Sequence, residues 1–225
     1  IETEADAKTI DLLAGGALTM APTIGISSMN GNIRLQAGSA IGLTTITAGT
    51  GDVALIAGST SSIVDSGTEP GAVNITATDL ILTAGVGIGT GTNALESTVT
   101  RLAAAAGSGG LFIAETNGVT VDALSVDVQR VASGAGADVV NTAEEDLRTT
   151  DNGAIVLTVT TGELVVNGGT GELSAVGLLA GGTGNVRLDA VDGDLTLNAR
   201  LDAGSGHLSL LAGRTLTQAD AGDLT

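Results

Sequence analysis

The sequence predicts an all-β fold, a parallel β-solenoid whose coils contain about 20–22 residues. Three observations support this prediction. A glycine-led phrase recurs at near-constant spacing, each copy alternates apolar and polar residues, and the 225-residue chain has 35 glycines but a single aromatic residue, Phe112. A core without large rings must be built from Val, Ile, Leu and Ala, which stack well in narrow, repetitive coils.

The recurring phrase is clearest in the C-terminal third of the chain. GELVV, GNVRL and GHLSL begin at Gly162, Gly184 and Gly206, so they recur at one constant interval. A second phrase begins at Gly171 (GELSA) and Gly193 (GDLTL), with the same interval between its two copies. Repetition at a fixed period of about 22 residues is typical of solenoids, and we expect equivalent phrases to stack on one another.

The N-terminal part repeats at a slightly shorter period. GNIRL, GDVAL and GAVNI begin at Gly31, Gly51 and Gly71, again at a constant interval. Glycine and Asn or Asp between the phrases supply the positive φ angles and side-chain hydrogen bonds that sharp turns require. Each repeat is therefore predicted to consist of a strand, a turn, a second strand and a second turn.

Within each phrase, the alternation has the period of two that is typical of a half-buried strand. In GNVRL, Val186 and Leu188 are predicted to point into the coil and Arg187 to point out of it. No helical segment is available to cover a sheet, so the strands are expected to hydrogen-bond to equivalent strands in the coils above and below. Phe112 is expected to be a local exception in the narrow interior.

Two segments depart from the repeat and are predicted to be irregular excursions from a single solenoid that spans residues 1–225. Residues 93–110 contain a run of alanines, and residues 142–151, TAEEDLRTTD, contain the densest charge cluster. Thr142 and Glu145 have the spacing of a helix capping box. The second segment is therefore either a short helical turn or a solvated acidic loop.

Composition excludes several classes of partner. The chain has 8 Lys and Arg against 25 Asp and Glu, a net charge of −17, which repels nucleic acids and anionic membrane surfaces. It contains no cysteine, so neither a disulfide framework nor a cysteine-rich zinc site is available. No apolar run approaches the roughly 18 residues that a membrane-spanning helix needs. We expect no nucleic-acid partner and no membrane insertion by this segment.

One stretch concentrates acidic residues: DAVDGD contains Asp189, Asp192 and Asp194. One hypothesis is a weak Ca²⁺ site at this turn. The alternative is that these side chains bond to nearby backbone, as Asp and Asn do in turns throughout the repeat. On the C-terminal period, the equivalent positions of the preceding coil are Asn167, Thr170 and Glu172.

His207 is the single histidine and a candidate general base or metal ligand. On the same period its position is occupied by Glu163 and Asn185 in earlier coils, which indicates a polar turn residue. Glycine runs at 85–91 and 181–184 lack the lysine and the following helix of a phosphate-binding loop. Threonine-rich phrases at 43–47 and 156–161 suggest an ice-binding face, but equivalent phrases do not repeat the threonines. No catalytic, cofactor-binding or metal-ligating residue is assigned, and no cofactor is expected.

Three passages carry a resemblance to a known family: LLAGGALTM at 12–20, LTAGVGIGTGTNALES at 82–97, and GNVRLDAVDGDLTLNARLDAGSGHLSLLAGRTLTQADAG at 184–222. With them the chain resembles the large secreted bacterial exoproteins similar to filamentous haemagglutinin, including the two-partner-secretion adhesins. The resemblance implies a right-handed parallel β-helix, an internal segment of a longer repeat protein, and a place on the cell surface or outside a diderm bacterium.

The function that the resemblance implies is a non-catalytic structural stalk or fibre segment of an adhesin. The expected partners are other copies or other segments of the same protein, bound through the solenoid ends, and receptors or glycans on host or neighbouring cells. Two alternatives remain open. A polysaccharide-active β-helix enzyme requires two carboxylates about 5–10 Å apart, and a calcium-stabilised exoprotein module requires a cluster of oxygen ligands.

Overall fold

The computed structural model describes residues 1–67, 72–170, 175–219, 222 and 224, and every helix or strand in those residues is a β-strand. Two sheets of 13 and 12 strands are built from parallel pairs, and a third is a two-stranded antiparallel hairpin. The predicted all-β class is confirmed, and the long parallel sheets are those of a β-solenoid. None of the described segments is a helix that could cross a membrane.

In the first half of the chain, each coil contributes two or three short strands. These strands are β1 (Glu2–Thr3), β2 (Ile10–Ala14), β3 (Leu18–Thr19), β4 (Gly25–Ser28), β5 (Ile33–Ala37), β6 (Ile41–Leu43), β7 (Thr45–Thr47), β8 (Val53–Ile56), β9 (Ile63–Asp65), β10 (Ile75–Thr76), β11 (Asp79–Thr83), β12 (Gly87–Ile88), β13 (Leu95–Thr98), β14 (Arg101–Ala106) and β15 (Gly110–Glu115).

The second half continues both large sheets and contains the hairpin, β17 and β18. Its strands are β16 (Val119–Val121), β17 (Leu124–Val131), β18 (Ala137–Glu144), β19 (Leu147–Thr149), β20 (Ile155–Val159), β21 (Leu164–Val166), β22 (Val176–Ala180), β23 (Val186–Ala190), β24 (Leu195–Leu197), β25 (Arg200–Asp202), β26 (Leu208–Ala212) and β27 (Leu216–Gln218).

The interior is a set of aliphatic columns that pass from coil to coil. In one column, aliphatic side chains occupy register positions in eight neighbouring strands of the 12-stranded sheet, so each buried side chain packs on its equivalents above and below. Its members are Leu12, Leu35, Leu55, Leu82, Ala104, Leu147, Leu178 and Leu201. All of them after Leu12 are buried.

The glycine that begins each phrase allows two coils to approach closely. Ile33 pairs with Val53, as the N-terminal repeat predicts, and this places Gly51 against Gly31. A Cβ on Gly51 would lie 2.5 Å from the carbonyl oxygen of Gly31. Because no side chain fits there, glycine is required where the chain turns between stacked coils.

The number of residues per coil varies, and this moves several phrases out of the predicted stack. The equivalent positions Asp79 and Arg101 are 22 residues apart, whereas Asp52 and Asp79 are 27 residues apart. The phrase at Gly71 therefore does not follow GDVAL in the same column. Its Ile75 pairs with Ile46 on another face. Gly71 itself lies outside the described residues.

The three C-terminal phrases are also only partly in register. GNVRL and GHLSL stack as predicted, since Val186 pairs with Leu208. GELVV does not stack on GNVRL, because Leu164 pairs with Leu195 of a later phrase. The stacked residues Asn167 and Asn198 are 31 residues apart, so this coil is longer than the predicted period. Of the second phrase, Gly171 lies outside the described residues.

The prediction of an excursion at 93–110 is wrong, because these residues form β13, β14 and the beginning of β15. β14 pairs with β11 over its first five residues. The alanine run is a regular strand in which Ala104 joins the interior column and Ala103 points to the outer face. Small outward side chains are needed here because the hairpin packs against them.

The chain does leave the solenoid, but at the hairpin. β16 and β19 both pair with β14, and the hairpin is inserted between them. Of residues 142–151, the first three complete β18 and Leu147–Thr149 form β19, so the predicted helical turn is wrong. Thr142 does not cap a helix. It pairs with Val126 of β17, and its hydroxyl accepts a hydrogen bond from Arg34 Nε at 3.0 Å.

Phe112 is on the outer surface, which corrects the expectation that its ring interrupts the interior. Its neighbours Leu111 and Ile113 point inward and are buried, whereas Phe112 is half-buried. The ring lies close to Gly91 and Gly110, where a Cβ would be 3.5 Å and 3.1 Å from ring atoms. The two glycines therefore make room for the ring outside the coil.

Candidate functional site

The hairpin covers the outer face of the 12-stranded sheet and forms a second apolar core with it. Leu124 and Val126 of β17 pack against a column of outward side chains, Ala54, Ile81 and Ala103. This column is continuous in register through β8, β11 and β14. Burying these aliphatic groups on folding stabilises the hairpin by about 1.5–3 kcal/mol for each large side chain.

Polar contacts extend the docking of the hairpin to the earlier coils. Arg130 Nε lies 2.6 Å from Asp11 Oδ2 in β2, and the same carboxylate receives Arg34 Nη1 at 3.1 Å. The side-chain amide of Asn32 donates to the carbonyl of Asp127 at 2.9 Å. The hairpin therefore contacts the sheet from β14 back to β2.

Where the hairpin joins the solenoid, four carboxyl groups and one guanidinium lie together. We call this set the acidic base, and its members are Asp122, Glu144, Glu145, Asp146 and Arg148. Glu144 Oε1 accepts from Arg148 Nη2 at 2.6 Å, and Glu145 Oε2 accepts from the amide of Thr170 at 2.7 Å. The predicted solvated loop is wrong here as well, because Glu144 and Asp146 are buried.

Asp146 differs from the other members of the acidic base because its carboxylate is buried without a partner. Its residue exposure is 0%, and neither Oδ1 nor Oδ2 has a hydrogen-bond partner in the part of the chain that the structure describes. Burial, followed by the nearby Glu145 charge, raises the pKa of Asp146 to about 7, although Arg148 acts in the opposite direction.

Glu115 is a second buried carboxylate of this fold, and it has hydrogen-bond partners. It also has 0% exposure, but Ser97 Oγ donates to it at 2.5 Å and the amides of Val99 and Thr116 donate at 3.0 and 3.1 Å. Burial raises the pKa of Glu115, and these hydrogen bonds partly oppose that effect. The bare carboxylate of Asp146 is therefore not the rule for buried acids in this chain.

A shallow cleft of about 240 Å³ opens beside the acidic base, between the hairpin and the following coil. Three members of the acidic base, Glu144, Glu145 and Arg148, form its polar wall. The other lining residues are Ala123, Leu124, Ala143 and Thr170. The cleft is therefore a mixed polar and aliphatic surface rather than a deep pocket.

The three acids of DAVDGD are not brought together as a cluster. Asp189 forms an ion pair with Arg187, Asp194 Oδ1 accepts from the amide of Thr215 at 2.8 Å, and Asp192 is exposed. Within the described ranges, no three His, Asp or Glu side chains are grouped to hold a metal ion. The calcium hypothesis for this turn therefore receives no support from the geometry.

The columns predicted for these acids are wrong, because the coil before them is longer than the predicted period. Asp189 pairs with Thr158, so Asn167 is not its equivalent, and in the same register Thr170 is not the equivalent of Asp192. Asn167 is instead hydrogen-bonded to Asn198, which is 31 residues away and occupies the next position in its own column. Glu172 lies outside the described residues.

His207 occupies an exposed turn, and its predicted equivalence is half correct. Its backbone amide donates to Asn185 Oδ1 at 2.8 Å, which confirms that Asn185 has the same position one coil earlier. Glu163 does not have that position. Val186 pairs with Ile155, so Asn185 is level with Ala154, whereas Glu163 precedes a strand of the other large sheet. Glu163 instead accepts a hydrogen bond from Thr196.

Asn and Asp side chains at the turns bond mainly to the next coil rather than to nearby backbone. Asn32 Oδ1 accepts from the amide of Asp52 at 2.9 Å, and Asn152 Oδ1 accepts from the amide of Thr183 at 2.9 Å. Asn185 repeats the arrangement in the coil that follows. These side chains connect stacked turns, which corrects the local role that the sequence suggested.

Hydroxyl groups do form a column on the outer surface, although comparison of equivalent phrases predicts none. Ser27 pairs with Thr47, Thr47 with Thr76, and Thr76 with Thr98. These residues come from unlike phrases, and the variable coil length brings them into register. The structure thus contains a hydroxyl ladder of one residue's width over these four strands.

The hairpin and the acidic base are the features that the repeat-based interpretation missed. One sequence feature could have revealed the hairpin. LSVDVQRV at 124–131 alternates apolar and polar residues over most of its length, and a glycine-containing turn, ASGAG, follows it. The buried state of Asp146 has no comparable sequence signature.

Comparison with protein-family models, with curated proteins and with solved structures found no match to this chain.

Proposed function

We propose that this chain is a non-catalytic stalk or fibre segment of a bacterial adhesin that is secreted or displayed on the cell surface. The observation that carries this proposal is the continuous register of aliphatic side chains from Leu12 to Leu201. Such stacking produces length and stiffness without any specialised residue. The resemblance to filamentous-haemagglutinin-like exoproteins and the net charge of −17, which keeps rods soluble, are consistent with this function.

Two finer features belong to the same proposal. The solenoid winds in the right-handed sense, because connections between parallel strands of one sheet are right-handed in about 98% of cases. Its basic coil contains about 20–22 residues, and the longer coils carry loops at their turns. Asn32 and Asp52 occupy stacked turns 20 residues apart, and Asn185 and His207 occupy stacked turns 22 residues apart, which supports this basic length.

The ends of the solenoid are the proposed sites for other copies or segments of the same protein. At one end β26 has β23 as its sheet neighbour, and Leu208 and Leu210 are only partly buried. At the other end, β2 has β5 as its neighbour and Leu12 is only partly buried. Among the described residues, β26 and β2 each have a neighbouring strand on one side only, and such edges beside incompletely covered core residues favour pairing with further coils.

Sedimentation velocity over a hundredfold range of protein concentration tests this assignment. We expect concentration-dependent end-to-end association, seen as elongated particles by electron microscopy. Leu210→Asp places a charge in the terminal column and should abolish association, whereas Ser209→Asp on the adjacent exposed position should not. A wild-type chain that stays monomeric at every concentration would contradict the proposed end contacts.

The non-catalytic part of the proposal has its own test. Incubation with a panel of neutral and acidic polysaccharides should give no new reducing ends and no unsaturated products. Turnover that Asp192→Asn or Asp194→Asn reduces would instead establish the polysaccharide-active alternative. Receptors or glycans on host or neighbouring cells remain the proposed partners of the assembled fibre.

A further inference from the structure

The bare carboxylate of Asp146 lies beside a second carboxylate. A Cβ built on Gly169 would be 2.8 Å from Asp146 Oδ2 and 2.6 Å from Glu145 Oε2. The separation of the two oxygens therefore cannot exceed the sum of these two distances. A single Ca²⁺ ion with two oxygen ligands at about 2.4 Å spans up to about 4.8 Å, so this upper limit is compatible with one ion shared by the two carboxylates.

Glycine at position 169 leaves room for the two carboxylates. A side chain there would require at least one of them to move, because its Cβ would lie at the distances given above. The following residue, Thr170, donates its amide to Glu145 Oε2 at 2.7 Å and so orients that group. Gly169 and Thr170 of the next coil therefore lie directly against the two acids.

The local charge is strongly negative. Asp122 and Glu144 lie near the same pair of carboxylates, and both act on Asp146 as like charges. Arg148 is the neighbouring cation, and it is already engaged by Glu144 at 2.6 Å. An unpartnered buried carboxylate costs several kcal/mol unless it takes up a proton or a cation.

We propose that Asp146 and Glu145 together bind a Ca²⁺ ion at the point where the hairpin joins the solenoid. Ca²⁺ suits the site better than Mg²⁺, because it accepts irregular sets of carboxylate, main-chain and water oxygens, whereas Mg²⁺ demands near-ideal octahedral geometry. With two carboxylates as side-chain ligands, the site belongs to the weak class, with a Kd of about 10⁻⁴–10⁻³ M. The ion would fasten the hairpin base to the loop that contains Gly169.

Calorimetric titration of EDTA-treated, dialysed protein with CaCl2 tests the proposal. The chain has no Trp or Tyr, so thermal unfolding is followed by circular dichroism rather than by fluorescence. We expect one saturable site and, in about 5 mM CaCl2, a rise in Tm of about 2–9 °C across the stated range of Kd. MgCl2 at the same concentration should raise Tm less, and KCl at matched ionic strength controls for screening of the net charge.

Two variants separate this site from general binding to an acidic protein. Asp146→Asn should weaken Ca²⁺ binding at least tenfold and remove the Ca²⁺-dependent rise in Tm, while its circular dichroism spectrum stays that of the wild type. Asp192→Asn removes an exposed acid of DAVDGD and should leave both unchanged. Absence of a saturable site in the wild type, or an equal response in Asp146→Asn, would overturn the proposal. Neither outcome affects the proposed stalk function.

Discussion

Arg130 Nε lies 2.6 Å from Asp11 Oδ2 and thereby joins the end of the hairpin to a strand that precedes it by 119 residues. The Asp11 side chain is 6% exposed and also binds Arg34, so one carboxylate forms ion pairs with two guanidinium groups. Leu124 and Val126 dock the other end of the hairpin through apolar contacts. The two ends of the hairpin are therefore held by different physical forces.

Asp11→Asn should release the distal end of the hairpin while the proximal end stays docked. The substitution leaves two arginines without their shared countercharge, which favours separation of Arg130 from the sheet. Hydrogen exchange followed by mass spectrometry should show at least tenfold faster exchange of amides in residues 129–137. Glu4→Gln, at an exposed acid of the same coil, serves as the control. Equal protection in both variants would show that the ion pairs do not hold the hairpin.

Val126→Ala should reduce the free energy of unfolding by about 2 kcal/mol, because it leaves a cavity between the hairpin and the sheet. Val126 is 0% exposed. Val139 provides the matched control, since it lies on the opposite face of the hairpin, is 61% exposed, and should tolerate alanine within about 0.5 kcal/mol. Urea denaturation monitored by circular dichroism measures both values. Similar losses in the two variants would contradict the packing described for the hairpin.

Asn185→Ala should destabilise the chain by about 1 kcal/mol, because the amide of His207 loses its acceptor in the preceding coil. Asn185→Asp keeps an oxygen at the same place and should retain most of the stability. Exchange of the His207 amide is the direct readout, and it should accelerate in the alanine variant alone. If both variants exchange like the wild type, these side chains do not connect the turns in solution.

Stability should fall as pH rises from about 4 to about 7 when a chelator removes divalent ions. The pKa of Asp146 is raised from 3.8 to about 7, so in this range the folded chain holds a proton that the unfolded chain has released. The stability that this bound proton contributes is complete at low pH and is lost as the pH rises through the pKa of Asp146 in the folded chain. Glu144, Glu145, Asp122 and Arg148 set this pKa together with burial.

Asp146→Asn isolates this contribution, because the amide does not titrate. The variant should show a shallower dependence of unfolding free energy on pH, by at most about 1.4 kcal/mol per pH unit, the value for one proton. Urea titrations at half-unit pH intervals measure the difference. Parallel curves for the variant and the wild type would mean that Asp146 ionises normally in the folded chain.

The inward strand positions were the most predictable part of the structure. Val186 and Leu188 point inward and Arg187 points outward, as the period of two predicts. That pattern depends only on local alternation, which the sequence displays directly. Equivalence between coils was less predictable, because it depends on how many residues each turn contains. The predicted equivalence of Asn185 and His207 is correct. The predicted equivalence of Glu163 and Asn185 is wrong, because the coil that begins at Glu163 contains more residues than the predicted period.

The acidic base could not be predicted from the same patterns. Asp146 is adjacent in sequence to a half-buried acid, and its burial results from the hairpin, β14 and the loop at Gly169 meeting at one point. Such a convergence of three distant segments leaves no periodic trace. The alanine run is misleading for a related reason: the small size of Ala103 reflects the hairpin that packs outside the coil, whereas the repeat describes the inside of the coil.

The span of the hairpin has a mechanical consequence. Solenoids unfold by losing neighbouring repeats, since each repeat contacts mainly the next. Because the hairpin contacts both β14 and β2, it links non-adjacent coils, and the coils between them are expected to unfold together. Under tension, the coils that the hairpin connects would therefore unfold in one cooperative step, whereas the coils beyond the hairpin can unfold one at a time.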